Sequence, residues 1–315
     1  MFKSFLAVLC LLLIPFLTEA QYTDSQVDSI VIHKKYIHKT VEGLSNEIAQ
    51  DFEDRNCLLR AFYMYITYNM QYDLNAGVEN RKRKYTVKTM DDIIKSDAQE
   101  MLKLIRTKKG VCWHFGNLFT KLCAVQGIDV EMISGARRVK ELPDTLTSTH
   151  LWNAVEIDGE MKMIDCTISF KLPYDKADFD QFYLVDPEVF IYSCFPMEPE
   201  KQYLKTPISY AAFKNLVWPY KMFNVLQVRE LTPRFKNLLP RNKGLSNFSF
   251  KMDNFRQIDS LEVYVNSKFV RSIPADRSLV SIPLPVTSQG WINIRAVKYT
   301  DGIKQNWNLL YYDVL

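Results

Sequence analysis

The spacing of apolar residues changes along the chain, and each change marks a different kind of element. Over residues 41–71, Leu44, Ile48, Phe52, Leu58, Leu59, Phe62 and Ile66 recur mainly at three- and four-residue steps, which predicts helix. Residues 91–105 predict another helix, which ends before a Lys108-Lys109-Gly110 turn. Leu118, Phe119, Leu122 and Val125 form one apolar stripe on a helix that begins near Cys112 and stops at Gly127, a glycine just past a helix end. Strand patterns follow at 130–137, 149–157 and 160–167. Residues 186–219 are rich in proline and aromatics and read as a wrapping segment without regular structure. Residues 21–40 are polar and predict no clear element.

Composition shifts near residues 239–244, and beyond them only strand signals remain, at 261–265, 280–284 and 291–297. Asn266-Ser267 and Asp301-Gly302 look like hairpin turns. About six short strands at this spacing predict a small C-terminal β-sandwich. The expected organisation is a leader at 1–20, a first domain with its wrapping extension at 21–240, and an immunoglobulin-like sandwich at 241–315.

The sharpest local signal joins the two middle strands. Residues 149–157 and 160–167 are apolar-rich and are linked by Asp158-Gly159, a strong hairpin dipeptide. With those two residues as the loop, 157 faces 160, 154 faces 163, 152 faces 165 and 150 faces 167. Paired positions share a sheet face, and so do positions two apart on one strand. His150 and Asp165 are then diagonal neighbours on one face, roughly 7–8 Å apart at the backbone. A slip of one residue would separate them. Leu151, Val155, Ile157, Ile164 and Cys166 make the opposite face apolar. Trp152, Ala154 and Met163 make the first face largely apolar as well, so both faces are expected to be covered, one of them by the Cys112 helix.

Composition adds compartment and partners. Residues 1–20 read as a secretory leader: Lys3, an apolar core over 6–17, and Thr18-Glu19-Ala20 before Gln21. The core is too short to span a bilayer, and no other stretch offers a span. The mature protein is expected to be secreted or periplasmic, under oxidising conditions. Cys57, Cys112, Cys123, Cys166 and Cys194 remain, and an odd count leaves one thiol over. If Cys112 is that thiol, the other four offer up to two bridges in three connectivities, but a chain this long can build its core without staples, which favours buried, reduced cysteines. The formal charge of +4 on 315 residues is mild and does not call for nucleic acid or a membrane surface. The run Arg81-Lys82-Arg83-Lys84 follows Asn75-Ala76-Gly77 without interleaved aromatics and reads as a solvated loop.

Candidate chemistry begins at Cys112. A helix N-terminus carries unpaired N–H groups and about half a positive charge, which favours the thiolate, the nucleophilic form. Lys108 and Lys109 add to that field. His150 is the one histidine beyond this helix and is the expected proton carrier. His114, two residues from Cys112, points away from the thiol on a helix. His33 and His38 have no partner at metal-ligand spacing and read as surface or packing residues. Taken singly, a cysteine can be a small buried hydrophobe and an aspartate a turn former. Taken together, Cys112, His150 and Asp165 make a triad in which sulfur attacks, imidazole moves the proton and carboxylate fixes the imidazole tautomer.

Gly110-Val111-Cys112 through Gly127, His150-x-Trp152-Asn153 and Ile164-Asp165-x-Thr167 resemble the transglutaminase-like superfamily of papain-type thiol enzymes. Residues 65–73 are similar to the helix that precedes the cysteine segment there, where Trp is commoner than the Tyr65 of this chain. Residues 182–190 resemble the extension of the kyphoscoliosis-peptidase branch, which often has histidine where this chain has Cys194. The resemblance covers about residues 55–220. It implies an α+β fold, with the cysteine on a helix packed on the antiparallel sheet that carries His150 and Asp165.

The resemblance also implies thioester chemistry on amide bonds. The triad is the same whether water or a lysine amine completes the reaction. Hydrolysis by a peptidase or amidase is the expectation, since crosslinking needs a water-poor tunnel that motifs do not show. The Cys112 N–H is the natural first oxyanion donor, with Tyr65 or Asn69 as the second, and Trp113 and Trp152 are assigned to the substrate groove. No cofactor and no metal are expected, and no acidic loop forms a calcium site. The expected partner is a protein or peptide substrate, with the sandwich free to dock to a surface or protein. The contrasting reading is a transglutaminase-like binding or scaffold protein that has lost catalysis; Tyr65 and Cys194 speak for it, the intact triad against it.

Overall fold

Three helices precede the first sheet in this computed structural model, which describes residues 22–73, 90–167, 175–238, 246–284 and 289–314. The expected leader, the basic run at 81–84 and the composition shift at 239–244 lie outside those residues. Helix α1 (Asp24–His33) falls where no element was expected. Its signal is brief: the Thr23 N–H donates to the Gln26 side chain at 2.8 Å, and Val27 and Val31 are buried. The helix expected over 41–71 is two, α2 (Val41–Ala49) and α3 (Arg55–Asn69). Asp54 explains the break, because its carboxylate accepts from the Asn56 and Cys57 N–H groups at 2.8 and 3.0 Å and starts a new helix. Arg60 of α3 holds α1 through two bonds to Asp28 at 2.6 and 2.7 Å, both side chains buried.

Helices α4 (Met90–Thr107) and α5 (Cys112–Val125) follow. Two short parallel strands, β1 (Gln71–Tyr72) and β2 (Lys109–Gly110), tie the chain just ahead of Cys112 to the end of α3. The central sheet contains β3 (Glu131–Arg137), β4 (His150–Ile157), β5 (Glu160–Ile164) and β6 (Cys194–Pro196), in the order β5-β4-β3-β6. The β4–β5 hairpin has the register that the Asp158-Gly159 turn predicts, from Ile157 facing Glu160 to Asn153 facing Ile164. Both turn residues are left-handed, at φ 52° and 79°, as a two-residue hairpin loop of this type requires.

Both faces of this sheet are covered. On one, Val155, Ile164 and Cys166 pack with Phe115, Leu118, Phe119 and Leu122 of α5 and with the buried sides of α1–α3. On the other, Trp152, Ala154 and Met163 meet Val185, Val189 and Phe190 and, through them, the C-terminal sheets. The segment expected to wrap without regular structure is more ordered than that. It forms short helices at Pro187–Phe190 and Tyr210–Asn215, capped by Asp186 and Ser209, and contributes β6 to the sheet edge; two more short helices, Lys176–Asp180 and Lys221–Val225, flank it.

The remaining strands are β7 (Val228–Thr232), β8 (Asn237–Leu238), β9 (Ser246–Met252), β10 (Ser260–Val265), β11 (Lys268–Pro274), β12 (Leu279–Leu284), β13 (Gly290–Thr300) and β14 (Ile303–Val314). They form one sheet in the order β11-β10-β13-β14-β8 and another in the order β12-β9-β7. Phe248 of β9 meets Tyr312 of β14 edge-on at 5.1 Å, so the two sheets share a core, as a sandwich does. Strands β7 and β8 precede residue 241 and still belong to these sheets. Among the described residues no helix is long and apolar enough to cross a membrane.

Candidate active site

The four strands of the central sheet bring their chemistry to one end. His150 opens β4, Arg137 closes β3, Cys194 opens β6, and Asp165 follows the last residue of β5. Beyond the strand, the Asp165 N–H donates to the Phe182 carbonyl at 2.9 Å, which fixes the aspartate in place.

His150 Nε2 lies 2.7 Å from Asp165 Oδ2, and the other carboxylate oxygen accepts the Thr167 N–H at 2.9 Å. The Cys112 side chain lies near enough to act on the imidazole and help raise its pKa, and with Nε2 held by the carboxylate the nitrogen left for sulfur is Nδ1. Cys112 is the first residue of α5 and is half-buried, whereas His150 is 6% and Asp165 0% exposed. The nucleophile is therefore reachable and its two supports are shielded from water.

Electrostatics follow from that shielding. Burial alone would push the His150 pKa down, but the Asp165 charge and hydrogen bond, with the Cys112 contact, outweigh it and raise the pKa above the usual imidazole range. Burial alone would raise Asp165. The His150 charge and hydrogen bond, the Arg137 charge and the Thr167 N–H reverse this and hold its carboxyl below the usual range.

The scaffold around α5 explains the alignment. Asn153 of β4 donates to the Gly116 carbonyl at 3.2 Å and to the Thr120 hydroxyl at 2.9 Å, which ties helix to sheet. His114 Nδ1 accepts the Val111 N–H at 3.2 Å, and Nε2 faces Glu100 at 3.4 Å. Burial lowers the His114 pKa, which suits a neutral, accepting ring. His114 thus caps the cysteine helix instead of serving the thiol.

The other residues named from sequence take different places. The Tyr65 hydroxyl bonds the Lys108 ammonium, which also lies 4.5 Å above the Tyr65 ring, and Asn69 Nδ2 donates to the Tyr65 carbonyl at 3.0 Å. These polar groups are engaged in the α3 scaffold, and so is the Lys108 charge. Trp113 is half-buried, edge-on to the His114 ring at 5.1 Å. Trp152 is a correction: at 0% exposure it is not a groove wall. It stacks beneath His150 at 6.1 Å and meets the tilted Phe190 ring at 5.6 Å, because the extension covers that face. Two neighbours of the site carried no assignment. Arg137 acts on both His150 and Asp165, and its guanidinium sits 5.7 Å over the Phe182 ring. Cys194, flagged only as a departure from the branch pattern, lies beside the His150–Asp165 pair.

The family profile described as "Transglutaminase-like superfamily" matches residues 42–161. Kyphoscoliosis peptidase of Mus musculus is 24% identical over 205 residues, covering 62% of this chain and 28% of that protein. Kyphoscoliosis peptidase of Homo sapiens is 25% identical over 199 residues, covering 59% and 27%. Hillarin of Drosophila melanogaster is 27% identical over 160 residues, covering 42% and 19%. The match thus spans under a third of the length of each of these relatives. Superfamily and branch agree with the resemblance read from the motifs.

Proposed function

We propose that this chain, which carries a transglutaminase-like domain, is an exported thiol enzyme that hydrolyses amide bonds as a peptidase or amidase. The observation that carries the reading is the series from half-buried Cys112, which acts on the His150 ring, through the His150–Asp165 hydrogen bond at 2.7 Å to buried Asp165. Sulfur attacks the amide carbonyl, and the oxyanion takes the Cys112 N–H at the start of α5. His150 Nδ1 passes a proton to the leaving amine as the C–N bond breaks and a thioester remains. Water then attacks the thioester carbonyl while His150 takes its proton; the C–S bond breaks, the carboxylic acid leaves, and His150 returns the proton to sulfur. Asp165 holds Nε2 throughout, which keeps Nδ1 turned to the sulfur. The name peptidase borne by the kyphoscoliosis relatives supports water over an amine as the acceptor. Export rests on the leader read in residues 1–20.

The test is incubation of the full chain with a peptide library and a labelled primary amine, beside Cys112→Ala. Peptide cleavage above the variant supports the proposal. Amine incorporation without cleavage makes the protein a transferase. Neither signal above the variant overturns catalysis in favour of a transglutaminase-like scaffold.

A further inference from the structure

Cys194 has no part in the chemistry above, yet it borders it. One His150 ring nitrogen, one Asp165 carboxylate oxygen and the Cys194 sulfur all lie within 4.8 Å of one another. The three side chains are 6%, 0% and 1% exposed. Their meeting is a product of topology: the sheet order β5-β4-β3-β6 sets Asp165, His150 and Cys194 at the same end of three strands, with Gly135 paired to both His150 and Pro196 between them. A glycine there leaves room for the close approach, because a Cβ would overlap the Phe195 carbonyl and the Trp152 ring.

We propose that His150, Asp165 and Cys194 form a binding site for a single zinc ion, and that zinc bound there holds the enzyme in an inactive resting form. The inhibitory half rests on the thiol-enzyme reading above; the binding half rests on the geometry alone. Imidazole nitrogen, thiolate sulfur and carboxylate oxygen are a donor set that zinc takes, whereas magnesium and calcium want oxygen throughout. Bonds of about 2.0–2.3 Å around a tetrahedral zinc put ligand atoms roughly 3.3–3.7 Å apart. Side chains already within 4.8 Å need shifts on the order of 1 Å, and the 2.7 Å contact between His150 and Asp165 opens to admit the ion. A water completes the tetrahedron.

Charge permits the exchange. Zinc with one thiolate, one carboxylate and one neutral imidazole carries no net charge, so the ion brings no uncompensated positive charge beside Arg137. The thiol proton and the Nε2 proton leave to solvent as the ion enters. With zinc on Nε2, the imidazole is tied to the metal and no longer cycles a proton between sulfur and substrate. Cys112 stays outside this set, because it meets the ring from the side of the other nitrogen.

The test uses the full, metal-free chain titrated with zinc chloride against a chromophoric chelator. One ion per chain is expected for the wild type and for Cys112→Ala. Cys194→Val is expected to lose more than the ~10–100-fold in affinity that removing even an outer-shell partner costs. Cys194→His returns a nitrogen ligand and is expected to bind zinc again, which separates ligand loss from misfolding. Cobalt in place of zinc is expected to give a sulfur-to-metal charge-transfer band in the wild type and in Cys112→Ala, absent from Cys194→His. Zinc affinity unchanged in Cys194→Val, or abolished in Cys112→Ala, overturns the site. Zinc bound through Cys194 with turnover unchanged overturns the inhibitory role. A metal-free chain without turnover counts against the enzyme reading and leaves the binding result to stand.

Discussion

Replacing Asp165 by asparagine keeps the shape of the side chain and removes its charge. In the wild type the carboxylate is fully buried, 2.7 Å from His150 Nε2, and bonded on its other oxygen to the Thr167 N–H. With about 4 Å between charge centres and an effective dielectric of about 20, the attraction is about 4 kcal/mol. At about 1.36 kcal/mol per pK unit, its loss lowers the His150 pKa by about three units. Burial, the largest single influence on this ring, acts in the same direction and is then opposed only by the Cys112 contact. His150 therefore changes from charged to neutral at neutral pH. The asparagine amide donates where the carboxylate accepted, so it takes the Nε2 lone pair and leaves the ring proton on Nδ1, the nitrogen that faces Cys112. A base protonated on the wrong side is inert, and amide turnover is expected to fall by about 10,000-fold, the scale of the same substitution in a Ser-His-Asp enzyme.

The assay is a pH titration of imidazole signals by NMR; the chain has only four histidines, so His150 is assigned by its own substitution. The same variant changes stability with a definite sign. Folding raises the His150 pKa, so that contribution is complete below the ordinary imidazole value of about 6.5 and is lost as pH rises through the folded value. Folding lowers the Asp165 pKa, so its contribution is present above the ordinary carboxylate value of about 3.9 and is lost as pH falls through the folded one. Asp165→Asn is expected to flatten both limbs. A His150 midpoint that moves by less than about one unit, or turnover kept within about tenfold of wild type, would refute this account of the pair.

Three further outcomes are expected. Gly135→Ala forces a methyl into the Phe195 carbonyl and the Trp152 indole and is expected to cost about 1–3 kcal/mol or more, read as a lower urea midpoint at unchanged slope. His114→Ala removes the acceptor of the Val111 N–H and is expected to cost about 1 kcal/mol in thermal or urea denaturation while turnover survives; abolished turnover would make His114 the base instead. Brief iodoacetamide treatment of the native protein, mapped by mass spectrometry, is expected to label Cys112 ahead of Cys123, Cys166 and Cys194, whose thiols burial keeps protonated; uniform labelling would contradict the burial pattern.

What could be read from sequence was local, and what could not was made by distant segments. Asp158-Gly159 dictated the pairing of β4 with β5 because a two-residue loop of left-handed residues leaves one register open. The glycine stop at Gly127 and the stripe on α5 placed Cys112 at a helix start for the same kind of reason. Trp152 was misassigned because alternation shows that a face is apolar and not what covers it; the cover is the segment around Val185–Phe190, some thirty residues on. Cys194 reaches the site through β6, a three-residue strand added at the sheet's far edge, too short to leave a pattern. Tyr65 and Asn69 were chosen for their place in a motif, and their hydrogen bonds depend on Lys108 and the α3 backbone, which no spacing rule reports.

The β4–β5 turn also decides the chemistry at the opposite end of the hairpin. Side chains alternate across a strand, so a slip of one residue in the β4–β5 pairing would swing Asp165 to the face lined by Val155 and Cys166, against the helices, and leave His150 facing Trp152 and the extension without its carboxylate. His150 would then be a buried imidazole with its charge unsupported, and burial would drive it neutral. The proton chemistry at Cys112 is thus set by backbone conformation at Asp158 and Gly159, residues that touch none of the reacting groups. A loop variant that slips this pairing by one residue should accordingly abolish turnover and shift the His150 titration in the same direction as Asp165→Asn, although every member of the triad is still present.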